Sequence, residues 1–210
     1  MRRILLSMLL MLLVVSCSYA DVIELPPPNK TGGMPLYEAE TLRHSTREFA
    51  DVEITSQDLS DLLYVTAGVN RDSGLRVYPV ARGVHDISVY VFDKNGVYKF
   101  DALKHSLELI TGGDYRQATS KPAYAGKAAI TFVYVQDLKK WEGEGAPEDR
   151  IEKWGFAHTG AMLQNAYLFA ASKGWNAVVR GTFEEARIRR ILKLNRKQNI
   201  TLVHSIGPRP

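Results

Sequence analysis

The chain has 210 residues, of which 45% are hydrophobic and 24% charged, and its formal net charge is +4. This length fits one domain with a sizeable core, and the single cysteine rules out a disulfide framework within the chain. The basic residues form no run with interleaved aromatic residues, so nucleic-acid binding is not expected.

The first twenty residues differ in composition from the rest. Two arginines precede an apolar stretch from Ile4 to Val15 that is short for a membrane span, and small polar residues follow it. We therefore expect residues 1–20 to be a signal peptide. Cleavage before Asp21 would release a soluble periplasmic protein, whereas a lipobox ending at Cys17 would leave a lipid anchor as the only membrane contact. Loss of the two arginines would lower the net charge to +2.

Proline and glycine are frequent in residues 21–34, which include three consecutive prolines at 26–28 and two glycines at 32–33. Such a segment is extended and contributes little to a core. We predict a tether or surface arm over residues 21–34 and a compact domain over residues 35–210.

The first predicted elements of this domain are a helix and a hairpin. Residues 55–58 provide a polar helix start, the leucines that follow share one face, and Gly68 ends the helix. Residues 86–92 alternate as in a mostly buried strand. Asn95-Gly96 then predicts a tight turn, with the return strand over residues 97–100.

The second half of the chain predicts alternating elements: a strand over 128–135, a helix over 156–172, a strand over 175–179, a helix over 183–192 and a strand over 199–205. Together with the early hairpin, this order indicates a single α+β domain whose mixed or antiparallel sheet is flanked by helices. No strand leads into a glycine-rich nucleotide turn or a Gly-Lys-Ser/Thr phosphate loop. The histidines show no metal-ligand spacing.

Residues 43–49 carry the most informative polar pattern of the chain. If the segment is extended, Arg43, Ser45 and Arg47 project to the same side because side chains alternate. Two guanidinium groups around a hydroxyl suit a phosphate, since the planar fork of arginine matches phosphate oxygens. The alternative is a solvated polar loop with incidental ion pairs.

This Arg-x-Ser-x-Arg pattern, which includes His44, resembles the opening motif of the nitroreductase-like flavoprotein family. In that family the motif holds the phosphate of FMN. The resemblance therefore implies that residues 43–47 bind this phosphate.

A second stretch, residues 79–85, is similar to the loop Pro-Ser-Ala-x-Asn-x-Gln of the same family. Pro79 and Ala81 match, whereas Val80, Gly83 and His85 stand where the family has serine, asparagine and glutamine. In the family, the asparagine side chain contacts the polar edges of the flavin ring. Glycine has no side chain to make this contact. The resemblance implies that backbone groups, Arg82 or His85 take over that contact, although His85 is equally interpreted as a plain loop residue.

A third stretch resembles the family strand whose end presents backbone N–H groups near the reactive nitrogen of the flavin. It implies that Val179, Arg180 and Gly181 lie at the ring. Arg180 stands where some members have glutamate, and its charge would favour reduced, anionic flavin. The chain end resembles the closing strand and glycine turn of the family, which makes Arg209 a further candidate phosphate ligand, unless the last residues fray.

The resemblance covers roughly residues 35–210 and implies an FMN-dependent oxidoreductase that passes electrons or hydride between flavin and a small molecule or peptide. Family members are usually intertwined homodimers with two flavins at the interface, and the branch resembled here is that of the exported, thiazoline-oxidase-like proteins. No side chain has to act as a nucleophile. The alternative is a non-catalytic periplasmic binding protein that retains the fold with a degenerate flavin site, as the changes at Val80 and Gly83 suggest.

Overall fold

The computed structural model describes residues 21–210. The predicted signal peptide and the lipobox cysteine, Cys17, lie outside the described residues. Four helices are present in the described part, with bounds α1 Leu36–Leu42, α2 Ser56–Ala67, α3 Glu148–Ser172 and α4 Glu185–Leu192. Its strands are β1 Val22–Glu24, β2 Ile87–Phe92, β3 Gly96–Asp101, β4 Ser106–Gly112, β5 Ile130–Asp137, β6 Asn176–Arg180 and β7 Gln198–Gly207.

Helix α2 and the β2–β3 hairpin form where local sequence signals predicted them. The Thr55 hydroxyl accepts a hydrogen bond from the Asp58 N–H at 3.0 Å, and Gly68 ends α2. In the β2–β3 turn, the Asp93 carboxylate accepts from the N–H groups of Asn95 and Gly96. Both the helix and the hairpin are therefore confirmed.

The seven strands form one sheet in the order β1-β4-β3-β2-β5-β7-β6, and every pair is antiparallel. Of the two sheet types left open by the sequence, the antiparallel one is confirmed, as is the α+β class. Helices α2 and α3 pack on one face through residues such as Leu62, Met162 and Phe132. Helix α4 covers the other face, where Ile188 meets Val133 and Val203. Strand β6, the last in the sheet order, forms one edge of the sheet.

Several element bounds differ from the sequence expectation. Helix α3 begins at Glu148 rather than near residue 156, because Pro147 and two acidic residues start it while its first turns are charged and lack apolar periodicity. Strand β5 begins two residues later than predicted, and β1, α1 and β4 were not assigned from the sequence.

The segment over residues 21–34 is extended and lies at the surface, and it also makes defined contacts with the domain. Its strand β1 pairs with β4, with Val22 opposite Glu108. Asn29 donates two hydrogen bonds to the Asp61 carboxylate, and the Met34 N–H donates to the Ser172 hydroxyl at 2.8 Å. This arm therefore adds an edge strand to the sheet.

Candidate functional site

The motif over residues 43–47 runs beside the edge strand β6 and close to the end of the chain. The Thr46 N–H donates to the Ala177 carbonyl at 3.0 Å, and the Asn176 side chain donates to the Glu48 carbonyl at 2.6 Å. Further on, the Ala50 N–H donates to the Pro208 carbonyl at 3.0 Å. The structure thus brings together three segments that the sequence analysis assigned to one site: residues 43–47, residues 179–181 and the segment containing Arg209.

Tyr167, on α3, connects the motif to β6. Its hydroxyl is hydrogen-bonded to the Ser45 hydroxyl at 2.8 Å and accepts from the Val179 N–H at 2.8 Å. The Arg43 guanidinium lies 5.5 Å from the centroid of the same ring. The sequence analysis did not select Tyr167 as a site residue, because a tyrosine within an apolar helix is ordinarily a core residue.

The two arginines of the motif do not share a cavity. Arg43 is half-buried in a shallow crevice against Tyr167 and Trp175, whereas the exposed Arg47 lines a larger cavity beside β6. The expectation that both guanidinium groups flank one phosphate together with Ser45 is therefore not met by the side chains as they lie. His44 is exposed, and its Nδ1 donates to the Leu42 carbonyl.

The larger cavity has a volume of about 700 Å³ and is called here the Arg180 cavity. It opens at the end of β6, between that strand, residues 181–184 that lead to α4, and the loop that follows β4. Cationic and aromatic side chains and the β6 backbone form most of its wall: Arg47, Lys121, Tyr124, Val179, Arg180, Gly181 and Phe183. Among the described residues Glu184 is the one acidic side chain in the lining, and its carboxylate lies 3.9 Å from Lys121 Nζ. The cavity therefore suits an anion with an aromatic part.

Arg180 is buried and has no carboxylate partner between residues 21 and 210. Only 7% of the residue is exposed, and its Nη2 donates to the hydroxyls of Ser205 at 2.9 Å and Thr119 at 3.4 Å. Its Nε and Nη1 have no partner in the described residues, and its guanidinium lies 5.7 Å from the Tyr124 ring centroid. Burial lowers the pKa of Arg180 from its ordinary value. Such an uncompensated cation is costly unless an anion joins it.

His204 lies on the opposite face of the sheet, where its ring packs 4.5 Å from the centroid of Tyr167. It is fully buried, and neither ring nitrogen has a partner in the described residues. Burial, followed by the charge of Arg180, lowers the pKa of His204 to about 3. His204 is therefore neutral at neutral pH.

The loop over residues 79–85 is fixed by a different part of α3. The Ala81 N–H donates to His158 Nε2 at 2.8 Å, and His158 Nδ1–H donates to the Asp86 carboxylate at 2.7 Å. Asp86 is fully buried and also accepts from Gln136 and Trp141. Within the loop, Arg82 and Gly83 both adopt positive φ, and a Cβ added to Gly83 would meet no atom within 4 Å.

The structure does not place this loop at the Arg180 cavity of the same chain. The loop precedes β2, which is separated from β6 by β5 and β7, so three inter-strand spacings, or about 14 Å, lie between them. His85 lines another cavity, together with Arg76. Pro79 and Gly83 are exposed, and Val80 and Ala81 are half-buried. The expectation that residues 79–85 and 179–181 surround one ring is therefore not met within a single chain.

Two further findings concern other kinds of site. Between residues 21 and 210, no group of three or more His, Cys, Asp or Glu side chains is arranged to hold a metal ion. Over the same residues, none of the helices has the length and apolar character needed to cross a membrane.

Comparison with known proteins assigns a family to this arrangement. The model of the nitroreductase family matches residues 41–208. The crystal structure named "putative nitroreductase" from Ralstonia eutropha JMP134 is 38% identical and has a TM-score of 0.84, covering 93% of this chain and 92% of its own.

Two more distant structures share the fold alone. The E. coli microcin synthetase McbBCD complex, with truncated pro-MccB17 bound, is 18% identical with a TM-score of 0.68, covering 89% of this chain and 78% of that chain. The NADPH:FMN oxidoreductase of Vibrio harveyi, complexed with NAD+, is 18% identical with a TM-score of 0.61, covering 83% of this chain and 68% of that chain.

Proposed function

Because this chain belongs to the nitroreductase family, we propose that it is an exported FMN-dependent oxidoreductase whose flavin binds at the Arg180 cavity. One observation carries the proposal: a buried arginine without a carboxylate partner lines a cationic, aromatic cavity beside the predicted phosphate motif. FMN is an anion with a flat aromatic ring, and its chemistry matches that wall.

The residues present fit such a cofactor. Arg180 contributes two guanidinium nitrogens without partners, and the buried Thr46 hydroxyl is also unpartnered in the described residues. Ser45 and Arg47 would hold the phosphate, with Arg209 nearby, because the Ala50–Pro208 hydrogen bond brings the chain end beside the motif. Arg43 would reach the phosphate only by leaving its position against Tyr167.

When bound, FMN would supply the redox chemistry by taking up and returning a pair of electrons. The chain's own residues would set the conditions. Arg180 would stabilise negative charge that develops at its side of the cavity, which favours the reduced anion. Tyr124 and Phe183 would exclude water, and the β6 end at Gly181 would allow a close approach of the backbone. The proposed chemistry requires no nucleophilic side chain.

A homodimer would account for the separation between the Arg180 cavity and residues 79–85. In our proposal, this loop reaches the flavin of a second copy, so that each flavin contacts both chains. The apolar side chains of α1 support a contact between copies, since Leu36, Tyr37 and Leu42 are exposed by 62%, 87% and 44%. Helix α1 leads directly into Arg43, so a partner seated on it would lie next to the motif.

The substrate is proposed to be a small molecule or a peptide. A thiazoline-oxidase-like role rests on the resemblance of the sequence motifs, and the name of the distant microcin synthetase structure, which contains a precursor peptide, agrees with it. Export would separate the protein from cytoplasmic nicotinamides, so we expect a membrane electron carrier or an oxidase-like cycle. Strong NADPH-driven turnover of nitroaromatic compounds would contradict this inference about the donor.

The absorption spectrum of the purified full-length chain tests the cofactor proposal directly. We expect a flavin spectrum and about one FMN released per chain on heat denaturation. If the isolated protein is colourless, added FMN should bind and its fluorescence should change on binding. A chain that neither contains FMN nor binds it would contradict the proposal.

The same spectrum separates the enzyme from the non-catalytic binding protein. The exposed, open position of Gly83, which has no side chain to contact a flavin ring, favours that alternative. Bound FMN that is reduced and reoxidised by added substrates would contradict it. Absence of FMN together with binding of another small molecule would support it.

A further inference from the structure

A second cavity lies behind the loop of residues 79–85, on the β2–β3 side of the sheet. Its volume is about 300 Å³, and it is called here the Arg76 cavity. Its wall carries charged side chains of both signs in equal number, together with neutral polar ones: the cations Arg76, Lys99 and Lys140, the carboxylates Asp101, Glu108 and Asp137, and Tyr78, His85 and Ser88. It shares no lining residue with the Arg180 cavity.

Two nitrogen atoms in this wall are buried without partners. Arg76 Nη1 and His85 Nδ1 are shielded from solvent and make no hydrogen bond within the described residues. Arg76 is fixed through its backbone, and the His85 ring through a contact with another side chain. The Arg76 carbonyl accepts from the Arg71 guanidinium at 3.1 Å, and Arg76 also forms an isolated bridge with Val69. The His85 ring packs edge-on against Tyr78 at 6.3 Å between centroids. Buried polar atoms of this kind ordinarily have a partner.

The acidic residues of the wall do not supply that partner. Asp101 pairs with Lys104 at 3.9 Å, and Asp137 accepts from the Lys139 N–H. Glu108 lies opposite Lys99 in the β3–β4 register. No carboxylate in the described residues lies within ion-pair distance of Arg76. The Arg76 guanidinium, like the Lys140 ammonium of the same wall, therefore has no ion pair within the described residues.

The surroundings also keep His85 uncharged. Burial is the largest cause of a lowered pKa for His85, and the charges of Arg76 and His158 act in the same direction, while Asp86 opposes them. A neutral imidazole carries one N–H, which Nδ1 can present to an acceptor. Burial likewise raises the pKa of Tyr78 to about 12, so its hydroxyl stays protonated. Arg76, His85 and Tyr78 therefore offer a guanidinium and two neutral donor groups on this part of the wall.

We propose that the Arg76 cavity binds a small oxyanion, the carboxylate or phosphate group of a ligand other than FMN. The guanidinium fork of Arg76 binds two of its oxygens, and His85 Nδ1–H donates to it. A cavity of about 300 Å³ suits a molecule the size of a small carboxylic acid. Because His85 ends the loop of residues 79–85, the bound anion contacts the segment that the family resemblance places at a flavin ring.

The test follows the imidazole signals of the full-length chain by ¹H–¹⁵N NMR at neutral pH. Acetate and inorganic phosphate are titrated separately, with sodium chloride adjusted to hold the ionic strength constant. The signal of His85 is identified by its loss in His85→Asn. We expect a saturable shift of that signal with at least one of the two anions. A response to acetate shows that a carboxylate suffices, and a response to phosphate alone assigns a phosphate group.

Variants separate a specific site from general anion effects. Arg76→Gln should weaken the affinity at least tenfold. Arg150→Gln, which removes an exposed arginine at the start of α3, should leave the affinity unchanged. If Arg76→Gln does not fold, Arg76→Lys keeps the charge but loses the fork and should also weaken binding. No saturable shift with either anion, or equal shifts in the Arg76 and Arg150 variants, would overturn the proposal.

The result is independent of the flavin proposal. The titration reads His85 whether or not the purified chain carries FMN, and any flavin spectrum is recorded in parallel. A chain that neither contains FMN nor binds added FMN, but still shows the saturable shift of His85, would contradict the proposed oxidoreductase alone. A flavin-containing chain without that shift would contradict the anion site alone.

Discussion

Two arginines are buried next to the same threonine, and their surroundings differ in one respect. Arg116 is 3% exposed, and its Nε and Nη2 donate to the two oxygens of the Asp114 carboxylate at 3.0 and 2.7 Å. Arg180 is 7% exposed and reaches only hydroxyl groups. The Thr119 hydroxyl donates to the Arg116 carbonyl and accepts from Arg180. Burial alone therefore does not distinguish a structural arginine from a binding arginine.

The two pKa values move in opposite directions for this reason. The hydrogen bonds of Asp114 raise the pKa of Arg116, while burial lowers that of Arg180. A guanidinium whose partner belongs to the chain stabilises the fold. A buried guanidinium without such a partner destabilises the fold, and an anion that binds to it can offset this destabilisation. The comparison can be tested by removing each charge in turn.

The largest effect is expected for Arg116→Gln. This change leaves the Asp114 carboxylate without its bidentate partner and removes the bond to the Ala128 carbonyl. Breaking a buried pair in this way costs about 3–5 kcal/mol, reduced here toward the lower value because Asp114 is partly exposed. Urea denaturation of the FMN-free chain measures the loss. A free energy of unfolding equal to that of the wild type would remove the structural role of Arg116.

Acid should destabilise the protein through His204, which lies on the α3 face of the sheet against Tyr167. The folded pKa is about 3, below the unfolded value of about 6.5, so the stabilisation is present above pH 6.5 and is lost as the pH falls toward 3. Between pH 7 and pH 5 this group alone costs about 2 kcal/mol. Urea denaturation at both pH values measures it, and His204→Phe should lack this part of the loss. An unchanged pH dependence in that variant would contradict the assignment.

Arg180→Gln should separate binding from stability. Without its buried charge the FMN-free chain should unfold within about 1 kcal/mol of the wild-type value, in contrast to Arg116→Gln. The affinity for FMN should fall at least tenfold, which corresponds to about 1.4 kcal/mol. Fluorescence titration with FMN measures the affinity, and Arg187→Gln, which removes an exposed charge on α4, is the control. Equal affinities in all three proteins would remove Arg180 from the site.

The smallest effect compares two buried tyrosines. Tyr167→Phe removes the hydroxyl that is hydrogen-bonded to the Ser45 hydroxyl and accepts from the Val179 N–H. This change should lower the free energy of unfolding by about 1 kcal/mol. Tyr134→Phe removes a hydroxyl without a partner in the described residues and should be neutral or slightly stabilising. Thermal unfolding of both variants measures the difference. Equal melting temperatures would show that Tyr167 does not connect the motif to β6.

Signals that act within a few residues made part of the fold predictable. The Thr55 cap, Gly68 and the Asn95-Gly96 turn fixed α2 and the first hairpin, because each works through contacts with near neighbours in the chain. The start of α3 and the strands β1 and β4 depend on packing and pairing across the sheet. Their own residues carry no strong periodic pattern, so the sequence did not reveal them.

The candidate site divides in the same way. The motif at residues 43–47 and the strand end at 179–181 were recognisable by pattern, and the structure brings them together. Tyr167, Asp86 and Arg76 were not recognisable, because their roles depend on partners far away in the chain or on the lack of one. Ser45 is 122 residues from Tyr167, and His158 is 72 residues from Asp86. A pattern of neighbouring residues cannot indicate contacts between residues so far apart in the chain.

The first described strand lies at one edge of the sheet and β6 at the other. Asp21, which directly precedes β1, therefore lies six strand spacings, about 29 Å along the sheet, from the opening beside Gly181. An attachment at that end, whether an affinity tag, a surface linkage or a fused reporter, leaves the opposite rim accessible. Immobilising the protein through its amino terminus should consequently preserve ligand exchange, which makes surface-based binding measurements practical for this chain.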